Sequence, residues 1–485
     1  MTDLPGIDWA VAAVMLPLLG AMAAFAWPRA AAGLGLASVG ATAAAVVALG
    51  LQVVGQGALT VPLGGWGAPL GIDLAADGLS VAMLGMTAGV GLLVSLSALG
   101  ETDPRRRRYF WPLWLLLLTG LNGVYLSGDL FNLYVMIEVI SIAAIGLTVL
   151  RGNLAALKAG LEYLFASMLG AILFLLAVGL VYLHYGRLDI AGLAGIAGAG
   201  DAVLASVLAL TLVGMALKTA LFPLHYWLPA AHANATAPAS ALLSALVVKA
   251  SLYIVLRLFQ YLVAPSEVVV TLIGVLGAGA MLWGGIQALR APRLKLLVAW
   301  STVAQIGLVF VAFARAGADG TAESWKAAAL IMMAHALAKG AMFLAAGRIR
   351  DEVGHDEIAR LDRSPVRPTL AQFTFALAAV SLIGLPPSAG FAGKWLLMEG
   401  AVAAGYWHWV VVTLVGTLIS VAVFSRVLAG FLRFDRVRGE LREHQGWALA
   451  DAPPLVLALA ALGLGLIAVQ VLALLEIGAP LGGRP

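Results

Sequence analysis

Residues 201–259 read DAVLASVLALTLVGMALKTALFPLHYWLPAAHANATAPASALLSALVVKASLYIVLRLF. The stretch opens as an apolar helix, carries Lys218 well inside the apolar run, and meets Pro223 five residues later. His225 follows, then a soft Pro/Ala/Asn segment, then a second apolar run with Lys249 inside it. An ammonium at the centre of a bilayer costs about 3 kcal/mol or more. Helices broken at that depth are tolerated only where protein or water satisfies the freed backbone groups. Two lysines flanking a proline-broken segment therefore point to a hydrated interior path.

Composition places the chain among polytopic membrane proteins. Only 11% of its 485 residues are charged and 62% are hydrophobic, whereas soluble domains carry about a quarter charged residues. Its 56 glycines fit close helix packing in lipid. A net charge of +4, with no gathered basic patch, argues against a nucleic-acid partner. The absence of cysteine excludes disulfides and thiolate-held metal or iron–sulfur centres. No three or four ligands stand at metal-binding spacing, and no nucleotide or flavin fingerprint occurs, so neither metal nor cofactor is expected. The N-terminus MTDLPGIDWA is acidic, unlike a signal peptide, so residues 7–27 read as a retained first span.

Apolar runs long enough to span fall near 7–27, 30–54, 74–99, 109–127, 129–150, 158–184, 202–228, 236–259, 267–289, 294–314, 326–347, 369–401, 405–431 and 453–475. These fourteen predict an all-α fold, with the seventh and twelfth spans broken. With the N-terminus outside, cytoplasmic segments hold Arg29, Arg105–Arg108, Arg151, Lys158, Arg290, Arg293, Lys295, Arg348, Arg350, Arg360, Arg363, Arg367, Arg433, Arg436, Arg438 and Arg442. External segments hold only Arg187, Arg315, Lys326 and Arg484. Nineteen against four obeys the positive-inside rule, and one missed helix would flip every later loop. Both termini are thus expected outside an inner (plasma) membrane. The Arg105–Arg108 run reads as a topology signal at the headgroups, with docking of a partner as the lesser alternative. Trp9, Trp27, Trp111, Trp325, Trp407 and Trp409 near span ends read as interfacial anchors. The mixed-charge loop Arg348–Arg367 reads as a solvated connector.

The spans near 109–259 and 267–431 form two successive sets of five. Each set has a buried lysine beside a proline break in its fourth member: Lys218 with Pro223, and Lys394 with Pro386 and Pro387. Because five is odd, the sets enter the membrane from opposite sides, the arrangement of inverted-repeat transporters. The expected division is 1–104 (three helices), 105–262 (first repeat), 263–432 (second, inverted repeat) and 433–485 (loop and last helix).

Few ionisable groups lie inside spans. Glu138, near the centre of the fifth span, needs an ammonium beside it to stay charged; Lys218 is the expected partner. A desolvated lysine exchanges protons readily, and at its depth Lys218 cannot snorkel to the interface. His225 would share its face if the helix ran on through Pro223. Lys249 sits among small and apolar residues. His335 and Lys339, spaced i,i+4, face one way and read as a relay. Lys394 follows the break GLPPSAGFAGK, where half-helix ends carry partial charges; Glu399 is either its partner or a surface group. Tyr163, Ser301 and Gln305 could hold water or satisfy a neighbouring helix. Glu162, four residues after Lys158, reads as half of a local ion pair. Five buried basic groups against one acid cannot all be charged at once, a condition for passing protons along a row.

SGDLFNLYVMIEV, the LKTALFPLHYWLPAAHANATAPAS stretch, LLVAWSTVAQIG, MAHALAKGAMFLAAG and GLPPSAGFAGKW resemble motifs of one family. It comprises the antiporter-like subunits of respiratory complex I and of Mrp-type multisubunit cation/proton antiporters. The resemblance spans nearly the whole chain and is greatest to the D-type chain of the Mrp antiporters. It implies fourteen helices with two inverted repeats and a central hydrophilic axis. Glu138 and Lys218 would form the coupling pair, Lys249 and the His335/Lys339 helix the middle, and Lys394 the terminal lysine. One departure is Glu162, which stands where several relatives carry a lysine. The resemblance implies a transporter subunit moving H+, exchanged for Na+ or another monovalent cation, in contact with lipid and other membrane subunits. The alternatives are a proton-pumping subunit of a redox-driven complex, and a non-conducting scaffold.

Overall fold

The computed structural model describes residues 8–196, 202–262, 266–318, 322–363, 369–432 and 449–479. Arg367, Arg433, Arg436, Arg438, Arg442 and Arg484 of the topology count lie outside them. The helices in chain order are α1 (Trp9–Ala26), α2 (Ala31–Gln56), α3 (Gly78–Ala98), α4 (Pro104–Leu126), α5 (Leu130–Val149), α6 (Leu154–Tyr185), α7 (Ile190–Ile196), α8 (Ala202–Thr219), α9 (Trp227–Asn234), α10 (Ala237–Leu242), α11 (Val248–Tyr261), α12 (Glu267–Arg290), α13 (Leu294–Ala318), α14 (Ala322–Val353), α15 (Leu370–Ile383), α16 (Ala389–Ala403), α17 (Trp407–Leu432), α18 (Ala452–Leu466) and α19 (Ala468–Leu475).

Polar residues at the span starts set where these helices begin. Asp8, Asp77, Asp103, Asp129, Asn153 and Ser388 each accept a backbone N–H from the first turn that follows. Thr369 and Gln372 close a reciprocal capping box. Thirteen helices among the described residues are long and apolar enough to cross a membrane. The fourteenth expected span, 369–401, is the pair α15 and α16. The chain is an all-α, multi-span membrane protein.

Each expected break is present, and each has a local cause. After α8 the backbone turns at Ala220 (φ +58°) and passes a cis Phe222–Pro223 bond before α9 begins. Trp227 Nε1 donates to the Leu217 carbonyl (2.9 Å), satisfying an end group of α8. α15 ends at Gly384 in the left-handed region (φ +84°) and α16 starts after Pro386 and Pro387. A third break was not legible: α10 joins α11 through a π-turn at Leu243–Val247. The last span, expected at 453–475, bends at Ile467 between α18 and α19.

The structure also holds a β-hairpin, β1 (Leu59–Pro62) with β2 (Asp73–Ala76), in register Leu59↔Ala76 through Pro62↔Asp73. It extends through bridges Leu74↔Ser127 and Asp129↔Asp189, so the α2–α3, α4–α5 and α6–α7 connections form one ladder. This end of the molecule is called the hairpin face below.

α14 and the α10–α11 unit lie at the centre. Side chains of α10 and α11 are buried nearly throughout, as are those described in α14. Helices hydrophobic all round belong in such a core, which makes their few polar side chains conspicuous. Close packing is set by small residues: a Cβ on Gly170 would lie 2.7 Å from the Gly214 carbonyl oxygen, so α6 and α8 approach backbone to backbone.

Several surface assignments need correction. Lys295, counted with the cytoplasmic loops, is buried, and so is Lys326, counted as external, which pairs with Glu476 at 2.6 Å. Trp111, Trp325 and Trp409 are core residues, not interfacial anchors; Trp27 and Trp407 are exposed. Each buried tryptophan lies on the inward face of its helix, which position along the span cannot reveal. The connector after α14 is shorter than expected, since α14 runs to Val353.

Candidate functional site

Lys218 lies in the last turn of α8, and its ammonium is held by three oxygens. It donates to Glu138 Oε1 (2.8 Å), Ser141 Oγ (2.9 Å) and Ser167 Oγ (2.9 Å). Glu138 and Ser141 are one turn apart on α5, and Ser167 enters from α6, where the Gly170–Gly214 contact brings the helices together. The lysine side chain is 4% exposed and that of Glu138 28%. Tyr163 stacks on Trp227 (centroids 4.1 Å apart), walling the pair on the α9 side.

His225 is not beside Lys218 on a shared face, because α8 stops at Thr219. It is buried, stacked on Phe222 (5.5 Å) and edge-on to Trp300 of α13 (5.5 Å). The break turns the imidazole toward the second set of helices.

Lys249 is fully buried next to the π-turn. Its ammonium donates to the Ser244 carbonyl (2.5 Å), on the turn, and lies 3.0 Å from His335 Nδ1 on α14. A π-turn shifts the register of backbone bonds and recurs at functional sites. One turn along α14, Lys339 donates to the Val298 carbonyl (3.0 Å) and to Ser301 Oγ on α13. His335 lies within electrostatic reach of Lys249, Lys339 and His232.

Lys394, on α16, reaches back across the break to cap α15. It donates to the carbonyls of Ile383 (2.7 Å) and Leu382 (3.3 Å) and to Thr417 Oγ1 (3.2 Å). These are end carbonyls of α15, where its partial negative charge collects. Gln305 Nε2 on α13 donates to the same Leu382 carbonyl (3.1 Å). Ser301 and Gln305, four residues apart on α13, therefore join the Lys339 cluster to the Lys394 cluster. Glu399 is exposed and is not the partner of Lys394. No ion pair joins Glu162 to Lys158 among the described residues.

Two further members were not found in the sequence. Lys295 is buried and donates to the Ala235 carbonyl (2.6 Å) at the end of α9. His232 is buried against Phe343 (5.1 Å), within electrostatic reach of Lys295, Lys339 and Lys249. Lys295 stands second in its helix, where sequence alone reads a headgroup ligand. His232 sits in the soft segment after Pro223, which gave no period to assign a face. The buried lysines of the row, Lys218, Lys249, Lys295, Lys339 and Lys394, lie on α8, α11, α13, α14 and α16. Lys218 is ion-paired with Glu138, and the other four rest on carbonyls, hydroxyls and imidazole, while Lys326, also buried, pairs with Glu476 away from the row.

The family described as NADH:quinone oxidoreductase/Mrp antiporter, transmembrane, matches residues 127–420, which contain all of these groups. The chain is 34% identical over 365 residues to the N-type chain of NADH-quinone oxidoreductase from Desulforudis audaxviator, covering 74% of this chain and 72% of that one. It is 31% identical over 338 residues to the D-type chain of the Na+/H+ antiporter from Bacillus subtilis, covering 69% and 68%. A chain of the membrane-bound sulfane sulfur reductase, an archaeal respiratory membrane complex, superposes with a TM-score of 0.89 at 25% identity, covering 97% of each. With its buried lysine row inside the matched region, the chain belongs to the NADH:quinone oxidoreductase/Mrp antiporter transmembrane family.

Proposed function

We propose that this chain is the proton-translocating subunit of a multisubunit Na+ (monovalent cation)/H+ antiporter of the plasma membrane, a transporter subunit with no reaction centre of its own. Protons move along Glu138, Lys218, Lys249, His335, Lys339 and Lys394, with His225 beside the first break. The observation that carries the reading is the Glu138–Lys218 pair seated on two serine hydroxyls. An ammonium with one carboxylate and two neutral acceptors can give up its proton without being stranded among unsatisfied groups. The remaining lysines rest on neutral acceptors, so a charge arriving at one repels a charge at the next, which favours stepwise transfer.

Glu138 stays part-exposed near the middle of α5. A carboxylate at that depth needs protein or water beside it, not lipid, in keeping with assembly among other membrane subunits. The two sets of helices at 105–262 and 263–432 act as inverted halves around the row. Both termini face outward.

Lys218→Ala and Glu138→Ala are each expected to abolish cation/proton exchange in everted vesicles while the complex still assembles, as judged by co-purification. Wild-type exchange in both would falsify the axis, and would leave the scaffold reading.

The second reading, a proton-pumping subunit of a redox-driven complex, is favoured by the similarity to a quinone oxidoreductase subunit. Purifying the native complex and identifying its other chains separates the two: small antiporter subunits support the first, quinone- or metal-centre-bearing subunits the second.

A further inference from the structure

The hairpin face holds a cavity of about 170 Å³ whose lining includes Asp73, Asp77, Asp189, Tyr253, Arg257 and Tyr261. Arg257 is 7% exposed and makes a two-pronged pair with Asp77, Nη1 to Oδ2 at 2.7 Å and Nη2 to Oδ1 at 2.6 Å. Its Nε donates to Tyr253 Oη (2.8 Å). Tyr253 Oη lies 3.2 Å from Ser80 Oγ, and Ser80 Oγ donates to Asp77 Oδ1 (3.0 Å). Asp77 at the N-cap of α3, Ser80 on α3, and Tyr253 and Arg257 on α11 thus form a continuous polar chain opening on the cavity.

Lys249, Tyr253 and Arg257 are spaced i, i+4 and i+8, so they share one face of α11. The face spans about 12 Å from Lys249 to Arg257. Beside it, the hydroxyls of Thr87 and Tyr125 are buried against each other, and both residues are 0% exposed. The Tyr125 ring stands edge-on to Tyr253 at 5.0 Å.

We propose that this cavity is a mouth of the proton path on the hairpin face, joined to Lys249 through Tyr253, Ser80 and Asp77. The proposal rests on the proton-translocation reading above. At rest the Tyr253 hydroxyl donates to the Tyr125 carbonyl (2.8 Å) and lies 3.2 Å from Ser80 Oγ. A proton reaching Tyr253 Oη displaces the one it holds, which turns from that carbonyl to Ser80 Oγ; the serine proton passes to Asp77, and the carboxylic acid releases it into the cavity. One proton enters, one leaves, and both hydroxyls are restored. Arg257 keeps a fixed positive charge against Asp77, which returns the acid to its ionised form. Burial pushes the Asp77 carboxyl up, yet Arg257 and Ser80 outweigh it and hold the group below the usual carboxylate range.

The chain contains no cysteine, so single cysteines report on single sites. In proteoliposomes of the whole complex, Ala75→Cys and Ala191→Cys at the cavity are labelled with a membrane-impermeant maleimide from the hairpin face. Proton flux is compared before and after labelling in the same liposomes. Complexes with the unchanged chain, and with Leu70→Cys on the exposed hairpin loop, are treated in parallel. Flux falling to background on labelling at both cavity positions, and unchanged in the two controls, is the expected result. Fully labelled cavity variants that keep their flux overturn the proposal and leave the Lys218–Glu138 axis intact, since those complexes still conduct. Tyr253→Phe, which keeps the ring, is expected to slow flux by roughly a hundredfold or more; an unchanged rate overturns the hydroxyl relay.

Discussion

Lys394 shows how much one side chain's acceptors decide. Its ammonium is bound to two carbonyls and a threonine hydroxyl, an arrangement that only a donor can satisfy. Lys394→Glu sets a carboxylate against the negative end of α15. It is expected to lower the thermal midpoint of the purified complex and to abolish exchange. Lys394→Arg, which keeps the donors, should retain the midpoint. A variant carrying glutamate with unchanged midpoint and exchange would mean that the α15 cap is not needed. At the first break the logic differs, because Glu138 supplies a real counter-charge. The identities Glu138, Lys218, Lys249, His335, Lys339 and Lys394 were all legible as ionisable groups in apolar runs. The serines beneath Lys218 were not, because Ser141 and Ser167 look like any small polar residue in a membrane helix.

The breaks matter at the scale of the element because each exposes backbone groups that a lysine then uses. At Gly384 the backbone is left-handed, and a Cβ there would lie 2.8 Å from Lys394 Cδ. A β-branched side chain combines the cost of positive φ, about 1–2 kcal/mol, with displacement of the lysine. Gly384→Val is therefore expected to reduce both the thermal midpoint and proton flux, where Gly430→Val, with open space around its Cβ position, changes neither; equal behaviour of the two would count against the seat. Prolines at Pro223, Pro386 and Pro387 announced two breaks in advance. The π-turn at Leu243–Val247 had no such marker. Its residues, LSALV, include neither proline nor glycine to mark it, and the Ser244 carbonyl on the turn accepts from the Lys249 ammonium.

The whole molecule is polarised between the arginine-rich ends and the hairpin face. With the termini outside, Leu70 on the hairpin loop and Arg29 between α1 and α2 lie on opposite sides. Leu70→Cys is expected to react with an impermeant thiol reagent in intact cells, and Arg29→Cys only in everted vesicles. The reverse pattern would invert the topology and the direction assigned to the path. The count of spans survived even though Lys295 and Lys326 proved to be buried, because the bias rests on many residues and two reassignments do not reverse it. The hairpin itself went unread: its strands are four residues each, and the Gly- and Pro-rich segment between them looks like any loop.

By itself the sequence determined the membrane class, the number of spans, the two proline breaks and the titratable residues, since hydropathy, charge and proline geometry act locally along the chain. Tertiary structure decided which of those groups meet. It placed Ser141 and Ser167 under Lys218, turned His225 away from it, drew in Lys295 and His232, and aligned Asp77 with Arg257. The physical reason is that burial and hydrogen bonding depend on which helix faces oppose one another. That is fixed by small-residue contacts such as Gly170 against Gly214, between segments far apart in the chain.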